Sequence, residues 1–232
     1  MDLKKFEERI LYIDNHLIII NKEVGELTQG DNTGDETLGD LVKQYLKIKF
    51  EKKGNVYLGI CHRLDRPTSG IVIFARTDKA LSRMNALFAS KEGVTKTYWA
   101  VVDKVPPQTE GHLVSYMFRD IKKNKSIAYR EKKPHTKEAR LSYKLLGASK
   151  TFFLLEIELE TGRHHQIRAQ LATIGCHIKG DLKYGFPRSD PNGGIHLHAR
   201  KIEFIHPVTK EKITVVARPP KDPVWDFFVN NY

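Results

Sequence analysis

The chain has 232 residues, 40% of them hydrophobic, a formal charge of +11 and two cysteines. That length and apolar content suffice for a core without disulfide staples. The first ten residues, MDLKKFEERI, alternate charges instead of forming a signal-peptide core, and the LIII run at 17–20 is far too short to cross a bilayer. The expected location is therefore the cytoplasm, with Cys61 and Cys176, which form no CxxC pair, as reduced buried thiols.

ILYIDNHLIIINK (10–22) predicts two short strands around a turn at Asp14-Asn15-His16, the second nearly all apolar and so central in a sheet. A polar loop, GELTQGDNTGDET, leads into a helical stripe over 38–50, with Thr37 or Asp35 as its cap. GIVIFART (70–77) is a buried strand, and 77–91 is a helix that Thr77 or Asp78 can cap. KTYWAVVDK (96–104) alternates as a strand until Pro106-Pro107. Residues 139–149 and 151–161 read as paired strands, the second with Phe153, Leu155, Ile157 and Leu159 on one face and Leu154, Glu156, Glu158 and Glu160 on the other. HHQIRAQLATIG (164–175) predicts a helix ended by Gly175; two more strands, in IHLHARKIEFIHP and KITVVARPP, and a short amphipathic tail at 224–231 complete the chain. With no repeat and no long linker, the expectation is one α+β domain over 1–232, rich in antiparallel neighbours.

The positive charge is concentrated. Residues 121–150 hold ten Lys or Arg, among them Lys122, Lys123 and Lys125, against Glu131 and Glu138, a local balance of +8. Such a segment suits a polyanion, because binding phosphates releases their counterions; no apolar face accompanies it as a membrane-surface helix requires.

Three clusters carry possible chemistry. In CHRLDRPTSG (61–70), Asp65 sits between Arg63 and Arg66, whose charges favour an ionised carboxylate suited to act as anion, base or nucleophile; the plain alternative is an aspartate that caps the turn. TGRHHQIRAQ (161–170) opens a helix whose free amides, with Arg163 and His164 or His165, form an anion-binding end; on that helix His164 and Arg168 fall four apart, as do Gln166 and Gln170. GDLKYG (180–185) is a turn-rich segment with an aromatic. Other chemistries lack support: His196-x-His198 has no carboxylate or cysteine at metal-ligand spacing, the glycines of 25–39 form no phosphate loop, Ser69 lacks a GxSxG setting, and nothing lowers the Cys61 pKa.

In this order, HRLDRPTSG, KTYWAVV (96–102), TGRHHQIRAQL (161–171), GDLKYG and LHARKIEFIHP (197–207) resemble the RluA family of RNA pseudouridine synthases across almost the whole chain. The resemblance implies the pseudouridine synthase fold, a central mixed and mainly antiparallel sheet with flanking helices, as a stand-alone catalytic domain without an S4 domain. It implies an isomerase that flips a uridine out of structured ribosomal or transfer RNA, breaks its glycosidic bond and rejoins the uracil through C5, without metal or organic cofactor. Asp65 is then the catalytic aspartate, whether as nucleophile at C1′ or as base at the 2′ hydrogen. Tyr98 is the tyrosine that stacks on uracil and helps move a proton, and Arg168 the arginine that pairs with the carboxylate. Arg63 helps fill the space of the flipped base, and His62, Arg163, Lys122, Lys123 and Lys125 are candidate RNA contacts. The expected partner is RNA, with no membrane, no obligate protein partner and a monomeric state. Two positions depart from the family pattern: Gln170 stands where a histidine is common, and Asn21-Lys22-Glu23-Val24-Gly25 where NKPxG is common. The competing classes are an RNA-binding module without turnover and a glycosidic hydrolase; the latter wants a second carboxylate as partner acid, and no paired candidate is evident.

Overall fold

A computed structural model describes residues 2–30, 34–90 and 93–232; Lys91, the expected last residue of the second helix, and residues 31–33 of the polar loop lie outside them. The chain divides into two compact units, Met1–Val94 with Arg200–Arg218, and Thr95–Ala199 with Pro219–Tyr232.

The first unit opens with a short helix not foreseen from sequence, α1 (Leu3–Glu7), capped by the Asp2 carboxylate. The strands expected around Asp14 are β1 (Ile10–Ile13) and β2 (Leu17–Lys22), an antiparallel pair whose turn Asp14 closes by accepting the His16 and Leu17 N–H groups, each at 2.7 Å. Helix α2 (Leu38–Lys49) starts where expected: the Thr37 hydroxyl accepts the Asp40 N–H while the Asp40 carboxylate accepts the Thr37 N–H. Then come β3 (Gly59–Ile60), β4 (Ser69–Ala75) and α3 (Asp78–Ser90), which the Thr77 hydroxyl caps through the Ala80 N–H. β2 pairs with β4, Ile18 opposite Phe74 and Ile20 opposite Val72. These four side chains share a face, on which Val42, Tyr45 and Leu46 of α2 and Phe6 of α1 pack. All of Leu17 to Ile20 is buried, which is why the LIII run shows no alternation.

The second unit is built on β5 (Val94–Val102), β6 (Glu110–Asp120), β7 (Lys125–Tyr129), β8 (Lys137–Ala148) and β9 (Phe153–Leu159), in spatial order β5-β9-β8-β6-β7 with each neighbouring pair antiparallel. The β6–β7 hairpin escaped the sequence reading because β6 carries apolar residues on both faces, with Val114 47% exposed and Ser115 buried. Helix α4 (Gln166–Thr173) begins two residues later than expected, because His165 adopts a left-handed φ of 52°. It ends as expected at Gly175, whose N–H bonds to Ala172 while that of Cys176 bonds to Leu171, closing the last turn.

A 3₁₀ turn at Leu182–Tyr184 precedes β10 (Leu197–Ile205), which forms an antiparallel hairpin with β11 (Lys212–Val216). The closing helix α5 (Pro223–Asn231), capped by Asp222, packs Trp225 and Phe228 against Trp99, Val101 and Leu154. Leu154 is thus the apolar end of the otherwise acidic β9 face, covered by α5. The class is α+β, as expected.

Candidate active site

In the first unit Asp65 sits on a tight turn. Its carbonyl accepts the Thr68 N–H at 3.0 Å, and β4 starts immediately after. Gly70 then takes φ +113°, a region a side chain strains, so the motif's glycine shapes the exit from the turn into the strand. The turn is held from beneath by Lys22 at the end of β2, a residue the sequence reading passed over. Lys22 is 1% exposed, and its ammonium donates to the carbonyls of Thr68 at 2.6 Å, Glu23 at 3.0 Å and Arg66 at 3.2 Å. Burial pushes its pKa down to about 8, against the opposing charges of Glu26 and Asp65. The Gly25 N–H also bonds to the Arg66 carbonyl, at 2.9 Å.

The flanking arginines point their hydrogen bonds elsewhere. Arg63 donates to Gln29 at 3.2 Å, while Arg66 donates to the Gly25 carbonyl and pairs with Asp35 at 2.8 Å. Lys22 is a cation whose charge couples to that of Asp65 within this unit. His62 is also tied to the fold: its Nε2 accepts the Ile73 N–H at 3.2 Å, and its ring lies 5.3 Å from that of Phe88. Neither ordinary rule of spacing nor charge would single out Lys22, although it stands in the Asn-Lys segment of the family pattern.

In the second unit Tyr98 lies on β5, 8% exposed and opposite Ile157, on the face away from α5. Arg168 is 4% exposed on α4 and is gripped in a two-pronged ion pair, Nε to one Asp181 oxygen at 2.7 Å and a terminal nitrogen to the other at 2.9 Å. Asp181 comes from GDLKYG, whose role the sequence left open. The same segment reaches the basic hairpin. Lys183 donates to the Asn124 carbonyl at 2.9 Å, and the Tyr184 hydroxyl accepts the Ser126 N–H at 2.8 Å. The Tyr184 ring lies 5.1 Å from the Arg168 guanidinium and 5.0 Å from the Lys125 ammonium. GDLKYG therefore links the buried arginine to the β6–β7 hairpin that displays Lys122 and Lys123 at its turn.

The start of α4 corrects one expectation. His164 precedes the helix, so it does not share a face with Arg168; it stacks on His165 at 3.8 Å and contacts the Ser126 hydroxyl at 2.9 Å. The Arg163 N–H is taken up by the Gln166 side chain at 3.0 Å, and Arg163 Nε by the Glu138 carbonyl at 2.9 Å. Gln166 and Gln170, four apart, both reach β8, donating to the carbonyls of Arg140 and Ala139; Gln170 also donates to Leu113 at 3.1 Å. Burial first, then the charge of Arg168, lowers the His165 pKa to about 2, so this ring is neutral.

Both cysteines are buried and free, and burial pushes Cys61 up to about 12 and Cys176 to about 11, which leaves them unreactive thiols. Carboxylates do meet His196, contrary to what spacing suggested: Asp190 lies 2.8 Å from Nδ1 and Asp222 3.1 Å from Nε2. They sit on opposite ring nitrogens and so cannot converge on one ion. No group of three or more His, Cys, Asp or Glu among the described residues could hold a metal.

A family model described as RNA pseudouridylate synthase matches residues 16–173, which include the Asp65 turn, β5 and α4. Ribosomal large subunit pseudouridine synthase D of Zymomonas mobilis is 30% identical over 223 residues, covering 92% of this chain and 69% of the relative. An uncharacterized RNA pseudouridine synthase of Bacillus subtilis is 33% identical over 216 residues, with the same two coverages, 92% and 69%. Among solved structures, Human RNA Pseudouridylate Synthase Domain Containing 4 has the same fold, with a TM-score of 0.79 at 24% identity over 97% of this chain and 94% of that one.

Proposed function

The chain belongs to the RNA pseudouridylate synthase family, isomerases acting on RNA, and we propose that it converts specific uridines of structured RNA to pseudouridine through Asp65. The target uridine leaves its stack, because C1′ and C5 are inaccessible within it; the cost, about a few kcal/mol, is smaller in loops. Asp65, as the anion, acts at the ribose so that the bond from C1′ to N1 breaks. The uracil turns, C5 bonds to C1′, the C5 hydrogen leaves as a proton and N1 gains one, so the product is an isomer of the substrate. The Tyr98 ring supports the uracil and its phenol assists the proton transfer. Arg168 supplies a positive charge, and Asp181 holds that guanidinium in one orientation.

The observation that carries this reading is the construction of the Asp65 turn, where a buried lysine gives its three hydrogen bonds to backbone carbonyls, two of them on the turn itself. Burying an ammonium is costly unless it is fully bonded, and here the arrangement orders a turn that carries one carboxylate. RNA is held by Lys122, Lys123 and Lys125 on the hairpin, with Arg163, Arg63 and His62 as further contacts. Two relatives are named as ribosomal large subunit synthases, which favours ribosomal over transfer RNA. No described helix is long and apolar enough to cross a membrane.

Mapping pseudouridines across total RNA tests the proposal, in cells with the gene, without it, and with Asp65→Ala. At least one position should vanish without the gene and stay unmodified with Asp65→Ala. If every position persists without the gene, or Asp65→Ala restores all marks, the reading is wrong.

A further inference from the structure

The first unit carries an exposed patch that the site above does not use. From the last turn of α2 the chain runs KIKFEKKGNVY (47–57), where Ile48, Phe50 and Tyr57 are 53%, 47% and 45% exposed. The two rings are moored. The Arg76 guanidinium lies 4.8 Å from the centre of Phe50, and the Tyr57 hydroxyl donates to Asp78 at 3.3 Å. Arg76 and Asp78 flank Thr77 at the junction of β4 and α3, so both rings are held at one short stretch of backbone.

Lysines border them. Lys49 is paired with Glu7 at 2.7 Å, whereas Lys47, Lys52 and Lys53 are exposed and have no ion pair among the described residues. Lys47 and Lys49 suit the negative end of the α2 dipole, but Lys52 and Lys53 lie beyond it and need another reason. Fixed aromatic faces edged by unpaired ammonium groups match a single-strand platform, on which bases stack and phosphates meet the charges. A protein partner fits less well, since lysine is depleted in protein interfaces. A membrane surface wants an amphipathic helix with its apolar stripe free, and the stripe of α2 is buried in the core.

We propose that the 47–57 segment is a second RNA surface, which holds an unpaired strand flanking the target uridine, with bases on Phe50 and Tyr57 and phosphates on Lys47, Lys52 and Lys53. The proposal rests on the RNA-modifying reading for its biological meaning but not for its test. Fluorescence anisotropy of a labelled oligouridylate is measured against salt with the full chain. Replacing the three lysines by glutamine should reduce the slope of log affinity against log salt by about 2. Phe50→Ala and Tyr57→Ala should each weaken binding by roughly five-fold or more with little change in that slope. Thermal melting of each variant checks that it remains folded. Oligouridylate binding is read without any turnover, so failure of turnover and failure of this surface are separate results. Affinity and slope unchanged in both sets of variants overturn the proposal. So does binding to phosphatidylserine vesicles that the ring variants abolish while oligouridylate binding stays intact.

Discussion

The Asp65 turn and the start of α4 solve the same problem in opposite ways. Around Asp65 a buried cation grips the backbone, and Lys22 fixes the loop through its carbonyls. Around Arg168 a buried anion grips the side chain itself, and Asp181 takes both prongs of the guanidinium. The first device sets where the chain passes, while the second sets the orientation of one charged group. Losing Lys22 should therefore loosen a loop, whereas losing Asp181 should remove the two-pronged clamp on a buried guanidinium.

The largest effect on stability is expected from Asp181→Ala, which leaves Arg168 buried without its bidentate partner. Urea unfolding should show a loss of about 3–5 kcal/mol, the usual cost of breaking a buried pair from one side. A loss no greater than that of a surface substitution would mean the pair contributes little to holding α4.

Lys22→Met should cost less, about 1–3 kcal/mol, by leaving buried carbonyls unpaired. It should also change the pH dependence in a defined direction. Burial lowers the Lys22 pKa to about 8, so above that value the unfolded chain binds more protons than the folded one. Stability of the unaltered protein should rise, relative to Lys22→Met, between about 8 and the ordinary lysine range near 10.4. The rate of pseudouridine formation should move the other way over that interval, because a neutral amine bonds the turn less strongly. Melting curves and initial rates at stepped pH check both limbs.

The smallest effect concerns His196, stacked on Trp225 at 5.2 Å. Burial works to lower its pKa, but the hydrogen bonds to Asp190 and Asp222 together outweigh it, and the net shift is upward. The imidazolium's contribution to stability is then complete below the ordinary histidine value and is lost as pH rises through the raised one. Melting temperatures should show that loss in the unaltered protein and not in His196→Gln.

Much of the fold was legible in the sequence because its elements carry local signals. Thr37 and Asp40 form a capping box, Gly175 ends α4, and the period-two pattern of β9 survives burial. The β6–β7 hairpin was not legible, since apolar residues on both faces of β6 erase the alternation that marks a half-buried strand. The late start of α4 was hidden too. A left-handed histidine breaks the helix without any glycine to announce it.

The residues of CHRLDRPTSG, KTYWAVV and TGRHHQIRAQL carried the family resemblance, and that resemblance implied Asp65, Tyr98 and Arg168 as site residues. Tertiary structure alone decided who holds them. Lys22 is 43 positions from Asp65 and Asp181 is 13 from Arg168, and neither partnership follows a helical or strand period. The arginines beside Asp65 illustrate the limit: adjacency in sequence showed two charges near the carboxylate, but not that Arg63 donates to Gln29 and Arg66 pairs with Asp35. Burial makes unpaired charges costly, so the folded chain pairs them by position in space, which no local pattern encodes.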